Sequence, residues 1–449
     1  MGAAVERLTR FVHDGKRNSV SFEEVREAQI EAMNERFQER KDKIKLVGFR
    51  AKEAGITEVR DRADILPLLL PHTAYKSYPE SFLIEGKWDR LIKWLGTVSS
   101  YPLTNVDLDG IVDIDHWIER LQEAGHYVSC SSGTTGKSAM LIGSAADMAW
   151  AKLDSVSSFA WGSGVKPAED RHMFGLAPVA SVPRNHAIRD ALRAAYCAPD
   201  STPFDYPVPP ITVGSITRMI ALRKAIADGT AMPGDIAEFE ATSAAREKAL
   251  EAAVDIAADA LIVARKEKLY VSGLWANLYK VAEAVHERGY SAKDFHPENT
   301  IYVGGGLKRA ALPSDYREYV YETFNIAPER NFQMYGMQEL GSGIPRCQTG
   351  GRYHIPPWLV CLPLSRDGDE LLPMTGGEIE GRAAFFDLAM DGRWGGVISG
   401  DKMMVDFSPC ECGSPTPSIR DNVARYADLE GDDKIGCAGT VDAYVRGLS

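Results

Sequence analysis

The loop at residues 131–137, SSGTTGK, carries residue types that hold phosphate groups. It follows the extended segment HYVSC and precedes the apolar run AMLIG. Glycines let backbone N–H groups turn toward an anion, and hydroxyl groups and an ammonium group complete such a cradle. The alternative is a flexible hairpin turn, because short glycine motifs are weak signals.

A Walker A loop is excluded by spacing. Such a loop needs a glycine five residues before Gly136, where this chain has Ser131. The loop therefore predicts a phosphate site of another kind. Its members are Ser131, Ser132, Gly133, Thr134, Thr135, Gly136 and Lys137.

Three later segments carry residues suited to the rest of a nucleotide site. They are the glycine run 304–306 after TIYV, the segment YGMQE at 335–339, and SGD at 399–401. A hard cation such as Mg2+ prefers carboxylate oxygens together with substrate phosphate, which Glu339 could provide. Alone, YGMQE would more often be the edge of a hydrophobic core.

Together, and in this order, the four segments resemble the motifs of the adenylate-forming superfamily. That superfamily includes acyl-CoA synthetases, phenylacetate-CoA ligases and acyl-protein synthetases. YGMQE resembles its YGxTE motif, with Gln338 in place of threonine, and SGD resembles TGD. The resemblance implies that ATP, with Mg2+, activates a carboxylic acid substrate as acyl-AMP.

The resemblance also implies roles for single residues. Lys137 and Glu339 would be catalytic, with Glu339 holding Mg2+, and Asp401 would accept hydrogen bonds from the ribose hydroxyls. Arg425 resembles the hinge arginine of the phenylacetate-CoA ligase branch, with Asp428 as the hinge acid and Arg420 as a rival. The residues expected around adenine are Gly304, Gly305, Gly306, Tyr335 and Gly336.

Four potential metal ligands lie in two loops rich in glycine and proline. Cys347 and His354 form C-x6-H, and Cys410 and Cys412 form C-x-C. Thiolate and imidazole ligands in a set of four suit tetrahedral zinc. The arrangement also resembles a structural zinc site of the phenylacetate-CoA ligase branch. The alternative is two unrelated loops with reduced thiols.

The tail at residues 426–449 resembles the end of the acyl-protein synthetases of bacterial fatty-acid reductase systems. In typical superfamily members a longer mobile lobe with a catalytic lysine follows the hinge, so the resemblance implies a truncated C-terminal lobe. It also implies that Cys437, flanked by small residues, receives the acyl group from acyl-AMP. The alternative is a small cysteine packed in a terminal strand.

The final acyl acceptor stays open at this stage. Transfer to a protein thiol would supply an acyl reductase or a carrier protein. An acyl- or aryl-CoA ligase of the phenylacetate-CoA ligase type would instead use coenzyme A. From another functional class, the chain could be a non-catalytic nucleotide-binding scaffold whose zinc loops dock a partner.

Composition limits the partners further. The formal net charge of -12 argues against nucleic acid and anionic membranes as partners, because both need a concentrated basic surface. No stretch approaches the roughly 18 to 20 apolar residues of a membrane span, and no signal peptide is recognisable at the start. We therefore expect a cytoplasmic protein.

Alternating strands and helices predict an α/β fold, and the resemblance implies the large domain of the adenylate-forming fold, with mixed sheets flanked by helices and a smaller β-rich lobe. The expected organisation is a helical N-terminal part of the large domain (1–120), an ATP- and acyl-binding core (121–425) and a short tail (426–449). Apolar spacing predicts helices within 21–55, 115–124 and 235–268, and strands at KLYVSGL and NTIYVGGGL. The proline-broken run 64–82 is predicted to be a surface loop.

The acyl pocket is the least specified part. Trp161, Phe174, Trp275 and Met337 are candidate wall residues because they lie near the motifs, although aromatic residues are more often core. His172 and His186 are candidates to approach the substrate carboxylate, although lone histidines are more often structural.

Overall fold

The computed structural model describes residues 2–13, 15–130, 137–305, 307, 310–374, 376–430 and 435. The chain forms two compact units. Unit 1 comprises Met1–Ser157, Val182–Arg184 and Gly336–Ser449, and unit 2 comprises Ser158–Ser181 and Asn185–Tyr335. Residues 131–136 of the predicted phosphate loop and most of the predicted tail at 426–449 fall outside the described residues.

The helices described in unit 1 lie mainly in its N-terminal part. They are α1 (Ala3–Thr9), α2 (Phe22–Arg40), α3 (Lys45–Ala54), α4 (Ser81–Ile84), α5 (Trp88–Leu95) and α6 (Ile114–Glu123). Helix α7 (Ala145–Ser163) runs from unit 1 into unit 2. The helices predicted within 21–55 and 115–124 are thereby confirmed, and their ends have local causes.

Caps fix these helix ends. Ser21 begins α2 with a capping box, in which its hydroxyl accepts from the Glu24 N–H and the Glu24 carboxylate accepts from the Ser21 N–H. Asp113 caps α6 by accepting from the His116 N–H. Gly55 ends α3 at a φ of 69°, in the left-handed region that glycine adopts readily.

Unit 1 is built on a sheet centred on one long strand, β12. Its main path runs β10-β11-β12-β13-β9, and the short strands β1 and β14 also pair with β12. The strands are β1 (Leu70–Pro71), β9 (Tyr353–His354), β10 (Leu359–Leu364), β11 (Glu378–Asp387), β12 (Gly396–Asp406), β13 (Ser418–Ile419) and β14 (Ala424–Arg425).

Unit 1 also contains the hairpin β2 (Tyr127–Cys130) and β3 (Met140–Gly143), the short strand β8 (Ile344–Pro345) and the terminal helix α13 (Tyr426–Glu430). Strands β2 and β3 pair antiparallel, from Tyr127 opposite Gly143 to Cys130 opposite Met140. This confirms the two strands predicted on either side of residues 131–137.

A β-bulge changes the pairing of β12 at the predicted ribose-binding segment. Arg382 pairs with Lys402, but Ala384 pairs with Ile398, so residues 399–401 face a single residue of β11. A bulge releases a strand from regular pairing and re-aims its side chains. Asp401 pairs instead with Arg425 of β14.

The run 64–82 is buried, so the prediction of a surface loop was wrong. Leu68, Leu69 and Leu70 are fully buried, and Tyr75 and Tyr78 are each 1% exposed. The run contains 3-10 turns at Leu66–Leu68 and His72–Lys76, and β1 pairs parallel with β12 between them. The prolines interrupt regular structure, but the apolar residues between them bury the segment against the sheet.

Unit 2 is a parallel sheet with helices, as the alternation of strands and helices predicts. Strands β4, β5, β6 and β7 pair in parallel in that order. They are β4 (His172–Gly175), β5 (Leu269–Gly273), β6 (Thr300–Val303) and β7 (Asn331–Tyr335). The strands predicted at KLYVSGL and NTIYVGGGL are therefore confirmed.

The helices that follow α7 are α8 (Pro183–Tyr196), α9 (Val213–Ala227), α10 (Pro233–Val263), α11 (Trp275–Glu287) and α12 (Tyr316–Phe324). The long helix predicted at 235–268 is α10. Its buried face is made of small residues, Ala253, Ala257 and Ala258, with Leu261. Among the described helices, none combines the length with the apolar character that a membrane-spanning segment requires.

Candidate functional site

The exit of the 131–137 loop is held by the buried run just described. Residues 131–136 lie outside the described residues, but Lys137 at the end of the loop is described. Its ammonium group donates to the Tyr78 carbonyl at 2.8 Å, and the Tyr78 hydroxyl donates to the Ser138 carbonyl at 2.8 Å. These two hydrogen bonds fix the start of β3 against the run.

Glu339 is a buried acid with no ion pair in the described part of the chain. It is 8% exposed, and no lysine, arginine or histidine nitrogen of the described residues lies within 4.0 Å of its carboxylate. Burial raises the pKa of Glu339, Lys76 and Arg393 oppose the rise, and Asp401 adds to it. A buried carboxylate without a direct ion pair is costly, so this group suits a cation.

The donor chemistry at Glu339 fits Mg2+. This ion is bound by one or two carboxylates and completes its coordination with substrate phosphates and water. The Asp401 charge acts on Glu339 and raises its pKa, so a second carboxylate lies within electrostatic range. Glu339 would hold the ion, which would supply positive charge to oxygens that become more negative during phosphoryl chemistry.

Asp401 and Arg425 are brought together by strand pairing. They are direct partners in the β12–β14 register, and the Arg425 Nε lies 3.7 Å from an Asp401 carboxylate oxygen. Arg425 is 62% exposed and Asp401 is 17% exposed. Arg420, the rival hinge residue, is instead engaged by Glu378 and by Asp406, the latter at 3.3 Å.

The segment that carries Glu339 is supported by polar residues that the sequence did not single out. Buried Arg393 donates to the Gln338 and Glu339 carbonyls, each at 3.0 Å. The Asp387 carboxylate accepts from the N–H groups of Gly341 and Ser342, each at 2.9 Å. Each contact joins residues that are far apart in the sequence, so no local pattern predicts it.

Lys76 is a second functional candidate that sequence reasoning missed. It ends the 3-10 turn His72–Lys76 and is partly buried. Burial lowers the pKa of Lys76, the Glu339 charge opposes this effect, and Arg425 adds to it. The ammonium group therefore lies near two of the predicted site residues. A lysine in a run interpreted as a surface loop gave no signal in the sequence.

The four predicted metal ligands converge in unit 1. The ligand atoms of Cys347, His354, Cys410 and Cys412 all lie within 4.8 Å of one another. We call them the Cys–His cluster. The Sγ atoms of Cys347 and Cys410 are 3.8 Å apart, and Cys412 Sγ lies 3.4 Å from His354 Nε2. Tetrahedral zinc with bonds of about 2.3 Å to sulfur and about 2.0 Å to nitrogen requires similar separations of roughly 3.5 to 3.8 Å.

The residues around the cluster also fit a bound metal. The other ring nitrogen of His354, Nδ1, lies 3.1 Å from the Thr416 hydroxyl, which orients Nε2 toward the thiols. Gly350 passes so close that a Cβ atom there would lie 2.4 Å from Cys410 Sγ. Burial disfavours the Cys347 thiolate, but hydrogen bonds from His354 and the backbone lower its pKa to about 6.

The described residues predicted around adenine lie at or just after the ends of the parallel strands of unit 2. Gly304 and Gly305 follow β6, and Gly305 has a φ of 80°, which glycine adopts without strain. Tyr335 ends β7 and is partly exposed, and Gly336 follows it. Such edges are where ligands bind in open parallel sheets. Gly306 lies outside the described residues.

Two of the proposed pocket walls are core residues. Phe174 and Trp275 are 6% and 2% exposed and belong to the hydrophobic core of unit 2. His172 lies near Glu267, and His186 Nε2 lies 3.2 Å from the Ser181 hydroxyl, so each has a local partner. Cys437 lies outside the described residues.

The sequence matches no family model, and no curated protein is significantly similar to it. Solved structures of 2-hydroxyisobutyryl-CoA ligase share its fold. One is the ligase in its postadenylation state with R3-HIB-AMP, which is 11% identical to this chain. The alignment covers 92% of this chain and 70% of the ligase, with a TM-score of 0.56. The other is the open conformation with 2-HIB-AMP and CoA, which is 12% identical. The alignment covers 94% of this chain and 75% of that ligase chain, with a TM-score of 0.57. The chain therefore has the α/β fold of adenylate-forming acyl-CoA ligases, which confirms the predicted fold class.

Proposed function

We propose that this chain uses its adenylate-forming fold to activate a carboxylic acid with ATP, giving acyl-AMP and pyrophosphate. The observation that carries the proposal is buried Glu339, which has no ion pair among the described residues and is close enough to Asp401 for that charge to act on it. A carboxylate kept in this state suits a cation that arrives with a nucleotide. The motif resemblance and the fold both support the same reaction.

In this reaction an oxygen of the acid bonds to the α-phosphorus of ATP, and the bond from that phosphorus to pyrophosphate breaks. Lys137 and the preceding loop would hold the phosphates, and Glu339 would hold Mg2+. The motif resemblance assigns the ribose hydroxyls to Asp401, and it assigns adenine to Tyr335 and the glycines at 304–306. Fixed positive groups of this kind stabilise the charge that develops on the leaving group.

The second step transfers the acyl group to a thiol. A thiolate sulfur bonds to the acyl carbon, the bond from that carbon to the phosphate oxygen breaks, and AMP leaves. The preferred thiol is Cys437, from which a reductase or a carrier protein would take the acyl group. A second candidate acceptor is coenzyme A, which the similar 2-hydroxyisobutyryl-CoA ligase binds together with 2-HIB-AMP.

Two measurements test these steps separately. Exchange of labelled pyrophosphate into ATP across a panel of fatty and aryl acids tests activation, and its absence for every acid would contradict the proposal. Intact mass spectrometry after incubation with ATP, Mg2+ and the active acid tests self-acylation. The added acyl mass should disappear in Cys437→Ser and persist in the matched variant Cys197→Ser. Thioester formed only on added coenzyme A would favour the second acceptor.

We also propose that the Cys–His cluster binds one structural zinc ion. The cluster supplies a full set of four ligands, which leaves no position for a substrate. The ion would connect the segment following Glu339 with the segment following Asp401. Elemental analysis of purified protein should give one zinc per chain, and a metal-free protein with full stability would contradict this role.

A further inference from the structure

The buried run 64–82 connects the predicted nucleotide-binding residues of unit 1. At one end, Leu70 and Pro71 pair with Val397 and Ile398 of β12, three residues before Asp401. At the other end, Tyr78 exchanges hydrogen bonds with the Lys137–Ser138 segment. The turn His72–Lys76 lies between these two attachments.

Tyr75, beside Lys76, fixes this turn in place. Its side chain is 1% exposed, and its hydroxyl donates to the Trp394 carbonyl at 3.4 Å. Trp394 in turn donates from its indole N–H to the Leu68 carbonyl at 2.8 Å. The turn is therefore anchored to the segment preceding β12, so the position of Lys76 is set by buried contacts.

The Lys76 ammonium group has no direct partner in the described part of the chain. It forms no hydrogen bond there and no ion pair within 4.0 Å. It nevertheless lies close enough to Glu339 and Arg425 for their charges to act on it. A partly buried cation that lies two residues before the Tyr78 contacts to Lys137 and Ser138, and within range of the Glu339 charge, has the chemistry to bind an anion.

We propose that Lys76 binds the phosphate chain of ATP through its ammonium group. The inference rests on the proposed function, and it adds a residue from the N-terminal part of the chain to the site. Glu339 would bring Mg2+ to the same phosphates, while Lys137 approaches them from the loop. Lys76 thus adds positive charge near Glu339, which we group with Asp401 as the acidic pair.

Calorimetric titration with Mg·ATP, AMP and adenosine tests this role without an identified acid. Lys76→Met should weaken Mg·ATP binding by about ten-fold to a hundred-fold, the range expected for a lost charge-assisted hydrogen bond. Adenosine affinity should stay within about two-fold of wild type, because adenosine carries no phosphate. Lys76→Arg should keep most of the Mg·ATP affinity, and Lys52→Met, at an exposed lysine, should keep all of it.

The outcomes separate the two proposals. Wild-type protein that binds no Mg·ATP would overturn the proposed function together with the role of Lys76. Wild-type binding that is unchanged in Lys76→Met would overturn only the Lys76 role. An equal loss for ATP and adenosine would make Lys76 a structural residue and would also overturn it.

A measurement on wild-type protein covers the case in which Lys76→Met does not fold. Acetylation by an amine-reactive ester, followed by peptide mass spectrometry, reports the accessibility of each lysine. Mg·ATP should slow acetylation of Lys76 at least several-fold, while adenosine should not, and Lys52 should react equally in all samples. Equal acetylation of Lys76 with and without Mg·ATP would overturn the proposal.

Discussion

The same two segments of the chain supply the residues of the Cys–His cluster and of the acidic pair. The two groups of residues differ in whether their polar atoms have partners within the protein. Cys347 follows Glu339, and Cys410 follows Asp401. In the cluster, His354 is fully buried and the four ligand atoms face one another. At the acidic pair, Glu339 has no ion pair in the described chain, and Arg425, beside Asp401, is largely exposed.

The difference indicates two uses of charge. A set of ligands closed on itself can hold an ion permanently and stabilise the loops that supply it. A buried carboxylate left without a counter-charge costs stability, and proteins retain such costs where a ligand compensates them. We therefore expect changes at the cluster to act on metal content and stability, and changes at the acidic pair to act on catalysis.

The largest effect is expected for Glu339→Gln. Removing the charge that would hold Mg2+ should lower acid-dependent pyrophosphate exchange by about 100-fold to 1000-fold, a range typical of lost transition-state stabilisation. Thermal stability should not fall, because a buried unpaired charge is removed. Glu27→Gln, at an exposed position of α2, is the control. Exchange within about three-fold of wild type would remove Glu339 from the catalytic site.

A smaller effect is expected from Thr416→Val next to the cluster. The substitution removes the hydroxyl that contacts His354 Nδ1 at 3.1 Å. Loss of such a contact typically weakens metal binding by about ten-fold to a hundred-fold. Competition with a zinc chelator should reveal this change.

The matched control for Thr416→Val is Cys361→Ser, at a buried cysteine outside the cluster. It should leave zinc affinity unchanged. Unchanged affinity in Thr416→Val as well would mean that His354 is not oriented through Thr416.

Arg425 and Arg420 provide a matched pair with an effect of about ten-fold or less. Arg425→Gln should reduce pyrophosphate exchange, because Arg425 lies beside Asp401, whereas its exposed ion pair contributes little to stability. Arg420→Gln should leave exchange unchanged and lower only the unfolding midpoint, because Arg420 is held by Glu378 and Asp406. The reverse pattern would make Arg420 the hinge residue.

The sequence predicted those features that depend on local patterns. Apolar spacing and capping residues predicted α2, α3 and α6, and the apolar flanks of the glycine-rich loop predicted β2 and β3. The Cys–His cluster was also predictable, because soft ligands have few other reasons to occur in paired glycine-rich loops. The four ligand atoms lie together in the structure, so the two loops meet at one place as the pattern predicted.

The failures came from long-range packing. The prolines of the run 64–82 suggested a surface loop, but pairing of β1 with β12 buries it, and no local pattern announces a two-residue parallel strand. Lys76 was missed with it. Phe174 and Trp275 were weighed as pocket walls only because of their position near motifs, and the core of unit 2 encloses both. Local signals do not distinguish an aromatic core from an aromatic pocket.

The smallest effect concerns Asp391, which precedes Arg393 by two residues in the chain. Asp391 accepts from the Ser144 hydroxyl at 2.6 Å, the Tyr101 hydroxyl at 2.7 Å and Arg40 at 2.7 Å. Burial opposes ionisation of Asp391, but these donors outweigh it and lower its pKa. Asp391→Asn should therefore lower the free energy of unfolding by about 1 to 2 kcal/mol at pH 7, without changing zinc content.

The pH dependence of this loss has a defined sign. A carboxyl group whose pKa is lower in the folded state stabilises the fold above its unfolded pKa, and this contribution is lost as the pH falls through the folded pKa. Urea unfolding at pH 7 and at successively lower pH down to about 3 should therefore show the difference between wild type and Asp391→Asn shrinking below about pH 4. Asp42→Asn, on the surface, should match wild type throughout. A constant difference across this range would mean that Asp391 stabilises the fold through packing and neutral hydrogen bonds and not through its charge.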